Sequence, residues 1–172
     1  MAPKKEQHYT ILIPDDTQFN RDFLRAILED TYEIIEAVDG IQAVTILQQK
    51  DQEISLLLLD LNMPTMDGFG VLDAMNKYGW IDSVPVIMIT AEEGPGLLKR
   101  AYDLGVTDYL KRDTDVETVR RRASNTIMLY AKQRRLQSMV NEQIYQKEKV
   151  NNLMISILSH IVEFRHEESG LH

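Results

Sequence analysis

Asp60 closes the apolar run at residues 54–59 and opens the turn at residues 61–68, while Asp15 and Asp16 follow another apolar run at residues 9–13. A carboxylate placed where a buried strand meets a loop, with further acids converging on it, can hold a cation and accept a phosphoryl group. A carboxylate standing directly behind four leucines is costly to desolvate unless it is ligated, which separates Asp60 from an ordinary turn residue. Thr90 ends a fourth apolar run and Arg112 follows a fifth. They offer a hydroxyl and a cation to phosphoryl oxygens. The chemistry that fits is transfer of a phosphoryl group to Asp60, with a metal neutralising charge between two anionic reactants. Asp15, Asp16 and Asp60 are its expected ligands, helped by the Asn62 backbone carbonyl. Oxygen ligands without Cys or a well-placed His favour Mg²⁺ over zinc, with Mn²⁺ able to substitute. Each residue also has a structural use: Asp16 or Thr17 can cap one helix, Asp67 another, and Thr90 can simply end a strand.

The elements that must position these groups are legible as an alternation. Residues 9–13, 32–38, 54–59, 84–89 and 106–110 read as five short strands, too continuously apolar for one-sided exposure, which implies a parallel sheet covered on both faces. Between them, apolar residues recur at helical spacing: Phe19, Phe23, Ala26 and Ile27; Ala43, Val44 and Leu47; Val71, Leu72 and Met75; Leu97, Leu98, Ala101 and Tyr102. The expectation is a doubly wound, flavodoxin-like (βα)5 domain with strand order 2-1-3-4-5. That order brings Asp15, Asp16, Asp60, Thr90 and Arg112 to the carboxyl edge of the sheet, where open α/β sheets bind ligands.

From residue 116 the chain has neither Pro nor Gly until Gly170. About 50 such residues make a helix of roughly 75 Å, several times the usual length. Thr114-Asp115-Val116-Glu117 carries the Ser/Thr-x-x-Glu pattern that opens a helix. Leu129, Leu136, Val150, Ile157 and Phe164 share one heptad position, with Gln143 interrupting, so a dimerising coiled coil is expected. A helical hairpin turning near Asn141 or Asn151-Asn152 is the alternative.

The combination of Asp15-Asp16, Asp60 in DLNMPTMDG, Thr90-Ala91 and GVTDYL at residues 105–110 resembles the receiver domain of two-component response regulators, over residues 7–128. The resemblance implies a sensor histidine kinase or phosphotransfer protein as donor, self-catalysed transfer and autodephosphorylation. It assigns Asn62 and Glu92 to the positions that tune phosphoryl lifetime, and Thr90 and Tyr109 to the switch. Arg112-Asp113 stands where the family has Lys-Pro; Arg112 keeps the charge, with Lys111 the lesser candidate because adjacent side chains alternate faces. A cis bond before a non-proline costs about 3 to 4 kcal/mol, which argues against one before Asp113. Residues 155–172 are similar to the opening of HD-type phosphohydrolase domains, including cyclic-di-GMP phosphodiesterases. In that likeness His172 matches the first metal-binding His. The expected organisation is a disordered start at residues 1–8, a receiver at 9–128, a signalling helix at 129–164 and the start of an output domain at 165–172.

Composition sets the outer limits. The chain has 172 residues, a formal net charge of -8 and no Cys, which excludes disulfides, thiolate metal sites and cysteine nucleophiles. Residues 1–113 carry about twice as many acids as bases, which argues against nucleic-acid binding there. No apolar run approaches the roughly 20 residues that cross a bilayer, so a cytoplasmic protein without a membrane partner is expected. Two other functions compete: a phosphorylation-independent dimerisation module, and an aspartyl-nucleophile phosphatase, for which Asp60-Leu61-Asn62 lacks the second acid of an Asp-x-Asp pair.

Overall fold

A computed structural model describes residues 8–170, so the expected disordered start lies almost wholly outside the described residues. The chain divides into two compact units, residues 1–130 and 131–172. In the first, β1 (Thr10–Pro14), β2 (Glu33–Ala37), β3 (Ile54–Asp60), β4 (Val86–Thr90) and β5 (Asp108–Lys111) form one parallel sheet of order β2-β1-β3-β4-β5. Between them run α1 (Gln18–Leu28), α2 (Gly40–Lys50), α3 (Gly68–Lys77) and α4 (Pro95–Asp103), and α5 (Val116–Ser169) follows β5. This is the expected doubly wound arrangement, with strand edges displaced by one or two residues. The β4 and β5 starts move most, because Val84 and Val106 pack into the core before the ladders begin at Val86 and Asp108.

The continuous hydrophobicity of β3 has a direct cause. Leu57 and Leu59 enter one core with Ala43, Leu47, Leu72 and Met75 from α2 and α3, while Leu56 and Leu58 enter another with Leu24, Leu28, Val119 and Ala123 from α1 and α5. Successive side chains point to opposite faces, so a strand buried on both sides cannot alternate apolar with polar. Each buried leucine contributes about 1.5 to 3 kcal/mol relative to exposure.

Helix starts are set by short carboxylates. Asp39 accepts from the Gln42 N–H and Asp67 from the Gly70 N–H. At α5 the expected capping residue shifts by one: Asp115, not Thr114, accepts from the Thr118 N–H and hydroxyl, at 2.9 and 2.6 Å. The carboxylate gives each donor its own oxygen, whereas a threonine hydroxyl has a single oxygen to share between them. At α1 neither proposed cap operates, since Thr17 makes no side-chain capping bond. The α1 stripe is also rotated from its expected position: Leu24 and Leu28 are buried, whereas Phe19 is 76% exposed and Phe23 partly exposed.

The second unit, residues 131–170 as described, is helical through Ser169, and the hairpin turn does not occur. Its apolar side chains, including Leu136, Val150, Ile157 and Phe164, are exposed.

Candidate functional site

The carboxyl edge of the sheet assembles the site from four strand ends. Asp15 follows β1 directly, and its N–H donates to the Ala37 carbonyl, taking the ladder rung beyond Pro14, which has no N–H to give. Asp60 is the last residue of β3, beside Ile89 of β4. Thr90 ends β4, and the Arg112 N–H donates to its carbonyl, which fixes the chain just past β5. One carboxylate oxygen from each of Asp15, Asp16 and Asp60 lies within 4.8 Å of the other two. Asp15 and Asp60 are buried and Asp16 is exposed.

Packing around the triad is tight. A Cβ added to Gly68 would lie 2.7 Å from the Asp60 carbonyl oxygen, and the Gly68 N–H donates to Leu61. Only glycine lets the start of α3 approach that closely. Asp15 is held from α1 as well: its Oδ1 accepts from the Thr17 N–H and the Asn20 side chain, and its carbonyl accepts from Arg21 at 2.6 Å.

Arg112 stands among the carboxylates. Its Nη2 donates to Asp60 Oδ1 at 2.9 Å and lies 2.8 Å from Asp15 Oδ2. The second pair is close enough for a charge contact but not aligned as a hydrogen bond, and Asp15 Oδ2 is buried without a hydrogen-bond partner. A buried carboxylate oxygen with an unused lone pair, near two other acids, fits a cation. Electrostatics agree: burial, then repulsion from Asp15, pushes the Asp60 carboxyl up to about 6, with Arg112 opposing. Added positive charge would relieve that strain on the ionised form.

The remaining expected residues divide. Thr90 is buried and its hydroxyl accepts from the Glu92 N–H at 3.1 Å. Asn62 and Glu92 meet: the Asn62 amide donates to Glu92 Oε1 at 2.8 Å, across the rim of the site. The Tyr109 hydroxyl donates to the Glu92 carbonyl at 2.6 Å, tying β5 to the loop after β4. Lys111 is turned away and exposed, paired with Glu93 at 2.5 Å, which holds the Glu93 carboxyl below its usual range and the Lys111 amine above. His172 lies outside the described residues. Sequence reasoning missed Asn20 and Arg21, the two α1 side chains that hold Asp15. The polar residues at positions 20 and 21, between Phe19 and Phe23, were the available signal.

The fold and the acidic edge together define a doubly wound α/β module with a carboxylate cluster at its ligand-binding edge, and residues 11–124 match the family model described as response regulator receiver domain. The chain belongs to that family. It is 27% identical over 170 residues to a "Probable cyclic di-GMP phosphodiesterase" of Vibrio cholerae, covering 95% of this chain and 38% of that one. The match therefore spans well under half of the curated relative. Among solved structures, a chain of the CheX-CheY-BeF3-Mg+2 complex from Borrelia burgdorferi is 28% identical with a TM-score of 0.64, covering 68% of this chain and 87% of that one. A CheY-like receiver domain protein of Methanospirillum hungatei, 20% identical, has the same fold at a TM-score of 0.66, covering 74% of this chain and 99% of that one. No described helix is long and apolar enough to cross a membrane.

Proposed function

We propose that this chain is the receiver portion of a cytoplasmic two-component response regulator that takes a phosphoryl group onto Asp60 from a sensor histidine kinase or a phosphotransfer protein. The observation that carries this reading is the meeting of Asp15, Asp16 and Asp60 at one sheet edge, with a buried Asp15 oxygen that accepts no hydrogen bond. These three carboxylates and the Asn62 carbonyl would hold Mg²⁺, with Mn²⁺ a substitute. When bound, the ion supplies positive charge against the donor's phosphoryl oxygens. An Asp60 carboxylate oxygen attacks phosphorus, the bond to the donor nitrogen breaks, and the acyl phosphate formed carries about -2 where the carboxylate carried -1, with three further acceptor oxygens. Arg112 and the Thr90 hydroxyl contact the phosphoryl oxygens. As Thr90 moves toward them, its bond to the Glu92 N–H is lost, and Tyr109, tied to the Glu92 carbonyl, changes packing with the same loop. Asn62 and Glu92 set the lifetime through the access they give water.

The family is one of signalling modules, and the only turnover assigned here is loss of the chain's own phosphoryl group. The helix from residue 129 to 164 relays the state as a homodimeric coiled coil through Leu129, Leu136, Val150, Ile157 and Phe164, with an output domain starting at residues 165–172. The Vibrio cholerae relative's name supports a cyclic di-GMP phosphodiesterase output in a longer protein. Neither nucleic acid nor membrane is a partner of the receiver.

The test is intact mass after incubation with acetyl phosphate and Mg²⁺. One phosphoryl adduct is expected, lost on adding a chelator beforehand and absent in Asp60→Asn. No adduct on the wild-type chain would overturn the reading in favour of a phosphorylation-independent module.

A further inference from the structure

Arg112 occupies a position that a bound cation would contest. A single nitrogen, Nη2, lies within 2.9 Å of both Asp60 Oδ1 and Asp15 Oδ2, and these are two of the three carboxylates whose oxygens gather within 4.8 Å. Octahedral Mg²⁺ takes oxygen ligands at about 2.0 to 2.1 Å, so it needs lone pairs on the same carboxylates. The guanidinium cannot share them at hydrogen-bond distance without bringing two positive centres together.

The hold is uneven. Arg112 makes a well-formed hydrogen bond to Asp60, whereas its contact with Asp15 has the distance but not the alignment. On the Asp15 side it would yield first. It also has somewhere to go: Arg112 lines a cavity of about 180 Å³ with Phe19, Asn20, Phe23, Thr114 and Val119. The apolar stem can lie against the two rings while the head stays wet, and the side chain is a quarter exposed.

We propose that Arg112 is a tethered competitor for the divalent cation, a positioning residue that holds Asp15 and Asp60 in the metal-free state and is displaced from Asp15 when the ion binds. The inference rests on the metal-site reading given above. Its consequence is that cation loading repositions a side chain at the Phe19–Phe23 cavity, so the surface beside the site differs between the free and loaded chain. A lysine has a shorter side chain and a more strongly hydrated ammonium, which would not hold a nitrogen as firmly where Nη2 sits, so Arg112→Lys should compete less well.

The experiment is calorimetric titration of the whole chain with Mg²⁺, for wild type, Arg112→Gln and Arg112→Lys, with Asp15→Asn as the site control. Competition predicts that Arg112→Gln binds Mg²⁺ at least about fivefold more tightly than wild type, the lower end of ordinary coupling between two ligands. Arg112→Lys should fall between them. In ¹H–¹⁵N spectra, the Arg112 Nε–H signal should move on addition of Mg²⁺ to wild type and stay fixed in Asp15→Asn. Equal or weaker Mg²⁺ binding by Arg112→Gln, with wild-type binding intact, would overturn the competition while leaving the metal site standing. No Mg²⁺ binding by any variant would remove both. If Arg112→Gln does not fold, Arg112→Lys and the wild-type Nε–H response decide the matter.

Discussion

The four leucines at residues 56–59 are at most 1% exposed, whereas Leu153, Ile157, Leu158 and Ile161 in α5 are all more than half exposed. The two stretches are similarly apolar but are shaped by different partners. β3 is satisfied on both faces by this chain's own helices. The apolar positions from 150 to 164 find none among the described residues, and at 100° per residue they cover roughly 200° of the helix circumference. A two-stranded seam uses a narrower stripe. Apolar content alone therefore does not say where a core is. The spacing of the residues and the presence of covering elements do.

That contrast should show most strongly in stability. Leu58→Ala removes side-chain volume from a fully packed face, and urea unfolding should report a loss of about 2 to 5 kcal/mol. A loss under 1 kcal/mol would mean the core is far looser than its burial indicates. Gly68→Ala should cost about 1 to 3 kcal/mol and disturb the site, because the added methyl meets the Asp60 backbone rather than a flexible side chain. Amide spectra should show the change concentrated at residues 60–68.

Asp60 should behave in the opposite sense. Its folded-state pKa, about 6, is above the ordinary 3.8, so the folded chain binds the proton more tightly than the unfolded one. In Mg²⁺-free buffer, stability should therefore rise as pH falls from about 7 toward 4, and the gain should be absent in Asp60→Asn. At pH 7 that variant should be more stable than wild type by about 1 to 2 kcal/mol, the scale of a carboxylate released from desolvation. Thermal unfolding at several pH values checks the sign, and acceptance of phosphoryl groups should fall below pH 6.

The smallest effect on folding belongs to the helix. Ile157→Glu should leave the unfolding midpoint of the receiver unchanged within about 0.5 kcal/mol. It should still lower the mass seen by light scattering at micromolar concentration, where the wild type is expected to be at least dimeric. A monomeric wild type would break the comparison, since the exposed stripe would then need some other cover.

Most of the fold was legible because doubly buried strands and helical stretches leave different patterns in the chain. Asp15, Asp60 and Thr90 were legible because polar residues at the ends of apolar runs have few other reasons to be there. Other features depended on three-dimensional contacts that spacing does not encode. The burial of Leu24 and Leu28 in place of Phe19 depends on how α1 rolls against the sheet, and the role of Arg21 depends on where Asp15 turns its carbonyl. Asp115 displaced Thr114 as the α5 cap although Thr114 has the Ser/Thr-x-x-Glu spacing, because the Asp115 carboxylate serves both donors of Thr118. Arg112 was expected near the phosphoryl group, but its contact with Asp15 through the same nitrogen that meets Asp60 depends on how the two carboxylates converge and could not be read from its place after β5.

The alternation of Leu56 through Leu59 between two separate cores has a mechanical result for the residue that comes next. Asp60 sits at the tip of a beam clamped from above and below by independent layers. A defect in either layer is partly resisted by the other, and drift in the helices on one side is slow to reach the Asp60 carboxylate. Such a mounting lets the surrounding surface diversify for new partners while the Asp60 carboxylate stays where it was.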